Sequence, residues 1–212
     1  LQLQTPEAFH ARFNVDVRVQ SEVLSVNSAE KTVTVKNHAT GETYTESYDA
    51  LVLSPGASPI RPPFEGIEKN HVFTLRTYAI YDHIAAACPR TAAVIGAGFI
   101  GLEMAENLAD RGIAVSVIEG ADHVMAPLDG DMAHLVHNRI RAAGMGLYLG
   151  KKCAGFTENS VLLESGEAVP ADMVILSIGV RPETAFLAGS GVELGARGEI
   201  LVNEQLRTSV PD

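Results

Sequence analysis

The stretch Ala93-Val94-Ile95-Gly96-Ala97-Gly98-Phe99-Ile100-Gly101-Leu102-Glu103 constrains this chain more than any other. A short apolar run leads into glycines spaced G-x-G-x-x-G. An amphipathic segment through Arg111 follows, with Ile100, Met104 and Leu108 on one stripe. Gly112 closes that segment, residues 114–118 form a second apolar run, and Glu119 stands 18 residues beyond Gly101. The pattern predicts strand, turn, helix and strand with an acid at the end, the context that makes the glycine motif specific for a dinucleotide. Gly96 permits the tight turn, Gly98 leaves room for a pyrophosphate against the backbone, and Gly101 lets the helix lie close on the strand. The unpaired N–H groups at the helix start, at Phe99 and Ile100, face the phosphates. Glu119 accepts hydrogen bonds from the adenosine ribose and repels a 2′-phosphate, and no Lys or Arg follows it among Gly120, Ala121, Asp122 and His123. NADH is therefore expected over NADPH. The competing readings are a structural glycine turn without ligand and a solvated acid at a strand end.

The rest of the chain has a different rhythm. Thr5-Pro6-Glu7 predicts a helix start, with Phe9 and Phe13 on one face. Residues 15–53 alternate apolar and polar at Val15, Val17, Val19 and again at Val33 and Val35, which predicts half-buried antiparallel strands. Leu51-Val52-Leu53 reads as a short buried strand. Four prolines, Pro55, Pro59, Pro62 and Pro63, make a rigid connector, with a helix expected over 77–87. After the glycine motif a second helix is expected over 132–143, closed by Gly144, then short strands near 147–149, 161–163, 173–178 and 199–203.

The formal net charge of −10 argues against a nucleic-acid partner, because an acidic surface repels phosphate backbones. No apolar run is long enough to span a bilayer, so no membrane partner is expected. Cys88 and Cys153 have no C-x-x-C or metal-ligand spacing and read as free thiols in a reducing cytoplasm. His134 and His137 are three apart on the second helix, a metal-capable spacing. No third ligand accompanies them, so both read as surface residues and no metal is expected.

Beyond the glycine turn, several segments together resemble the flavin-dependent pyridine nucleotide–disulfide oxidoreductases, in particular the branch of coenzyme A-disulfide reductases, NADH oxidases, NADH peroxidases and persulfide reductases. They are Thr5-Pro6-Glu7, Glu46-Ser47-Tyr48-Asp49 leading into 51–59, Phe73-Thr74-Leu75-Arg76-Thr77, Gly101-Leu102-Glu103-Met104-Ala105-Glu106, Ala171-Asp172-Met173-Val174-Ile175 and Ile178-Gly179-Val180-Arg181-Pro182. The resemblance implies an α/β fold: a Rossmann-like NAD-binding domain over 89–206, part of an FAD-binding domain over 1–88, and a return toward it over 207–212. It implies FAD and NADH as cofactors. Ser54, Pro55 and Gly56 match the family's second FAD-contact turn, usually read as Thr-Gly. Val23 matches a strand position whose backbone meets the FAD adenine. Phe99 sits where the family places a side chain near nicotinamide and flavin, Glu103 matches a glutamate facing the flavin, and Gly179 matches a loop glycine beside the nicotinamide.

The departures are as informative. The chain carries one glycine motif where the family uses two, and neither Cys88 nor Cys153 lies in the family's redox motif. The chain also opens without Met, and both ends look cut. The resemblance then implies an internal part of a longer, homodimeric enzyme, with no catalytic residue in these 212 positions and the redox cysteine upstream. The final acceptor, whether a small-molecule disulfide, a persulfide, a peroxide or oxygen, stays open. A nucleotide-binding module without turnover is the alternative of a different class.

Overall fold

The structure is a computed structural model describing residues 4–69, 71–76, 84, 86 and 88–212. The chain divides into two compact units, one running up to Ala57 and including Pro182–Asp212, the other Ser58–Arg181. It passes between them along the short strands β4 (Ala57–Pro59) and β13 (Val180–Pro182). These crossings differ from the sequence-placed limits at 88 and 206. Residues 72–74 join the parallel sheet of the second unit, and the single-turn 3-10 helix Ala185–Leu187 packs on the strand Ser21–Asn27 of the first.

The first unit opens with α1 (Pro6–Phe13). Thr5 Oγ1 caps it by accepting the Ala8 N–H at 3.2 Å, and Asn14 ends it at φ +53. Strands β1 (Ser21–Asn27), β2 (Thr32–Asn37) and β3 (Thr43–Ser47) form an antiparallel meander in that order. The alternation at Val33 and Val35 becomes β2, but Val15, Val17 and Val19 lie outside any strand and are exposed. Left-handed residues at Asn14 and Gln20 bracket that segment, which joins no ladder among the described residues. The strand expected at 51–53 is also absent. Its backbone joins no ladder, and the Val52 side chain is 87% exposed. Residues 199–203 form no strand either, only a single bridge from Ile200 to Leu194.

The second unit is built on a five-stranded parallel sheet. Its strands are β5 (Val72–Thr74), β6 (Thr91–Ile95), β7 (Ala114–Glu119), β8 (Gly146–Leu149) and β12 (Met173–Leu176), in the order β5-β12-β6-β7-β8. Helices α2 (Phe99–Asp110) and α3 (Gly130–Ala142) cover one face. The antiparallel strands β9 (Cys153–Phe156), β10 (Ser160–Leu163) and β11 (Ala168–Pro170) cover the other. Side chains alternate accordingly. Ala92, Val94, Met173 and Ile175 enter the helical core, and Ala93, Ile95, Val174 and Leu176 enter the opposite one. A sheet buried on both faces explains why these strands read as unbroken apolar runs. The helix expected over 77–87 lies outside the described residues apart from positions 84 and 86.

Asp172 pins the start of this sheet. Its Oδ2 accepts the N–H groups of Arg90 and Thr91, each at 3.1 Å, while its own N–H donates to Thr91 Oγ1 at 2.9 Å. These backbone donors hold its carboxyl below the usual carboxylate range. From β6 the chain runs to β7 and β8 on one side, while β12 and β5 lie on the other. This reversal of strand order at the carboxyl end of β6 is where an open α/β sheet leaves a crevice. Among the described residues, no helix is long and apolar enough to cross a membrane.

Candidate dinucleotide-binding site

The turn 96–98 follows β6 directly and lies at this switch point. Its three glycines answer to different constraints. Gly96 holds φ +97, and a Cβ on it would lie 2.5 Å from Ser177 O. Gly101, in the first turn of α2, is buried, and its Cβ would run into Gly96 O and lie 2.5 Å from Ser177 Oγ. Gly98 is the opposite case, since nothing lies within 4 Å of where its Cβ would be. Gly96 and Gly101 therefore serve protein packing, and Gly98 opens space.

That open space lies at the start of α2. Gly98 is the N-cap, with extended backbone and no side chain to cap the helix. The first-turn N–H groups of Phe99, Ile100 and Gly101 have no acceptor within their own helix, and the helix dipole adds positive potential there. Uncapped donors beside an open cradle fit a pyrophosphate.

Glu119 ends β7 and is half-buried. Its Oε2 accepts the Ala97 N–H at 2.7 Å and its Oε1 the Ala121 N–H at 2.9 Å. It thus braces the turn as well as facing the crevice. Each carboxylate oxygen has a further lone pair with which to accept a ribose hydroxyl. Two residues that sequence reasoning missed complete the brace. Ser177, just past β12, donates its hydroxyl to Gly96 O at 2.8 Å. Met125 donates its N–H to Ala97 O at 2.9 Å. The tight approach of Gly101 was legible in the glycine spacing. The serine beneath it carries no signal of its own.

Phe99, Ile100 and Glu103 lie exposed on the first two turns of α2, Phe99 at 67%. Gly179 is an exposed loop residue at φ +107 whose carbonyl accepts the Ile60 N–H at 3.0 Å. In the first unit, Val23, Ser54 and Pro55 line one groove of about 550 Å³ together with Val26, Leu51 and Leu53. Gly56 follows in the chain at φ +73 and accepts the Glu183 N–H through its carbonyl at 3.1 Å. The 51–53 segment, which forms no strand, is a wall of this groove.

Both cysteines are free, Cys88 exposed and Cys153 buried in β9, where desolvation pushes its thiol up to about 11. The surface reading of the histidine pair holds for His134 but fails for His137, which is 2% exposed. Its ring is turned inward on α3 and accepts the Val124 N–H. Among the described residues, no group of three ligating side chains could hold a metal ion.

A family model described as pyridine nucleotide-disulphide oxidoreductase matches residues 4–212. The chain is 35% identical to a coenzyme A disulfide reductase of Staphylococcus aureus over 98% of its own length and 48% of the relative's. It therefore spans about half the length of that relative. Among solved structures, reduced CoADR-RHD of Bacillus anthracis superposes with a TM-score of 0.96 at 47% identity, covering 100% of this chain and 39% of that one. The water-forming NADH oxidase of Lactobacillus brevis, solved bound to NADH, superposes at 0.92 with 32% identity, covering 99% and 47%.

Proposed function

The chain belongs to the pyridine nucleotide-disulphide oxidoreductase family, and from that premise we propose that it is the central part of an FAD-dependent oxidoreductase acting on a disulfide of the coenzyme A type. The unit containing Ser58–Arg181 is the NADH side, and the groove at Val23, Ser54 and Pro55 is a part of the FAD side. When bound, NADH supplies hydride and FAD relays its electrons toward the disulfide. The residues of this chain hold and orient. Gly98 admits the pyrophosphate, the uncapped start of α2 binds it, and Glu119 takes the ribose. Phe99 and Gly179 would border the nicotinamide end, and Glu103 would take the role of the family's glutamate toward the flavin.

The observation that carries this reading is the pairing of an open Cβ position at Gly98 with an uncapped helix N-terminus and a carboxylate at the end of the neighbouring strand. A 2′-phosphate placed beside Glu119 would meet a like charge, costing about 1–4 kcal/mol at contact distance. NADH is accordingly the donor. Oxygen, by the likeness to a water-forming oxidase, and a persulfide or peroxide are the alternative acceptors.

The test uses the intact protein. It should purify with a flavin spectrum that NADH bleaches anaerobically, far faster than NADPH, and coenzyme A disulfide should restore the oxidised spectrum. Glu119→Ala should narrow the gap between the two donors. Restoration by oxygen alone would favour the oxidase reading. A protein that binds NADH with no flavin and no turnover would point to a binding module instead.

A further inference from the structure

The loop of residues 120–129, between β7 and α3, is tied from both sides at adjacent residues. Val124 is fully buried and donates its N–H to His137 Nε2 at 3.2 Å. The next N–H, that of Met125, donates to Ala97 O at 2.9 Å. Ala97 in turn gives its own N–H to Glu119. Met125 sits at φ +55, a left-handed conformation that a long L side chain keeps only where its surroundings over-determine it. A backbone N–H can only donate, so Nε2 is the unprotonated nitrogen and the ring is neutral, with its proton on Nδ1.

We propose that His137 is a positioning residue for the dinucleotide cradle. Its neutral ring fixes Val124, which sets Met125, which holds the Ala97 carbonyl, so that the peptide between Gly96 and Gly98 keeps its orientation toward the phosphates. The proposal rests on the reading of the cradle as an NADH site. His137 touches no ligand itself and acts through the loop.

The electrostatics support the same arrangement. Burial is the largest influence keeping His137 neutral, followed by His134 and Arg141 on its own helix and His123 from the loop packed against it. All push its pKa below the ordinary imidazole value. The sign follows. The folded protein needs the neutral ring, so its contribution is complete above about pH 6.5. It is lost as pH falls through the lower folded value, where protonation removes the acceptor from Val124.

The experiment titrates NADH into the intact protein by fluorescence between about pH 5 and 8, using wild type, His137→Leu and His137→Gln. Leucine removes the acceptor and leaves a buried N–H unpaired. Glutamine keeps an acceptor that cannot become cationic. His137→Leu should weaken NADH binding about tenfold at neutral pH. Wild type should lose affinity on the acid side, and His137→Gln should stay within about twofold at neutral pH and lose that acid-side fall. The glutamine profile carries the test even where the leucine variant does not fold. Binding by His137→Leu equal to wild type, or an acid fall in His137→Gln identical to wild type, overturns the proposal alone. A wild type that binds no NADH overturns the site reading, and this proposal with it.

Discussion

Replacing Gly98 with alanine separates the cost of folding from the cost of binding. The added methyl meets no protein atom within 4 Å, and φ −78 with ψ −173 suits any L residue. Restricting the unfolded chain stabilises the variant by about 0.4–1 kcal/mol. Alanine is a poorer N-cap than glycine by about 1 kcal/mol, which offsets that gain. The unfolding midpoint should therefore move by no more than about 2–4 °C. Binding responds differently, because the methyl enters the space over the first-turn donors of α2. A phosphate oxygen must approach an N–H to about 2.9 Å, and a contact stretched to about 3.6 Å no longer counts as a hydrogen bond. Each hydrogen bond to a charged group contributes about 1.5–3 kcal/mol. Losing one weakens NADH binding by roughly 10- to 150-fold. Thermal unfolding and an NADH titration on the same preparation read both quantities. Gly96→Ala is the contrast. Its methyl would sit 2.5 Å from Ser177 O at φ +97, so it should lower the unfolding midpoint as well as the affinity. A Gly98→Ala protein that unfolds normally and binds NADH like wild type would refute the phosphate placement. A large loss of stability in that variant would refute the claim that the space is open.

Ser177→Ala removes a half-buried hydroxyl from Gly96 O and should weaken NADH binding about fivefold, with little change in flavin content. Equal NADH affinity in the variant would show that Gly96 holds its peptide without the serine. The two thiols should differ in reactivity. With Cys153 pushed up to about 11 by burial and Cys88 exposed, mass mapping should find Cys88 alkylated in the native protein and Cys153 only after unfolding. The Cys153 pKa is raised on folding, so the unfolded chain loses its proton first. Native stability should therefore decline as pH rises from about 8.5, the free thiol value, toward about 11.

How much of this was legible in the sequence depended on whether a residue's role is local. The βαβ unit was legible because period, glycine spacing and strand-end acid all act within 91–119. The alternation at Val15, Val17 and Val19 misled for the converse reason. It meets the pattern of a strand, but a ladder needs a partner, and among the described residues that segment has none. Val52 misled through burial. Its apolar neighbours suggest a core strand, yet it stands 87% exposed on the wall of a groove. An apolar run cannot say whether water or a ligand would lie against it.

The bracing of the cradle was illegible for a deeper reason. Ser177 reaches Gly96 across 81 positions, and Glu119 reaches Ala97 across 22. In each case the partner is a backbone group, a carbonyl or an N–H, which almost any residue type supplies. Pattern reading detects side chains that must be glycine, apolar or acidic, but leaves no mark where a hydroxyl or an imidazole merely meets a peptide. The two kinds of residue should also fail differently. A methyl at Gly98 blocks the space itself, and affinity drops in one step. Removing Ser177 or His137 loosens a peptide that Glu119 and the remaining brace still hold, and affinity declines by smaller factors that should not add when the two changes are combined. The double variant is then the sharpest probe of whether the cradle is held by one connected network or by independent contacts.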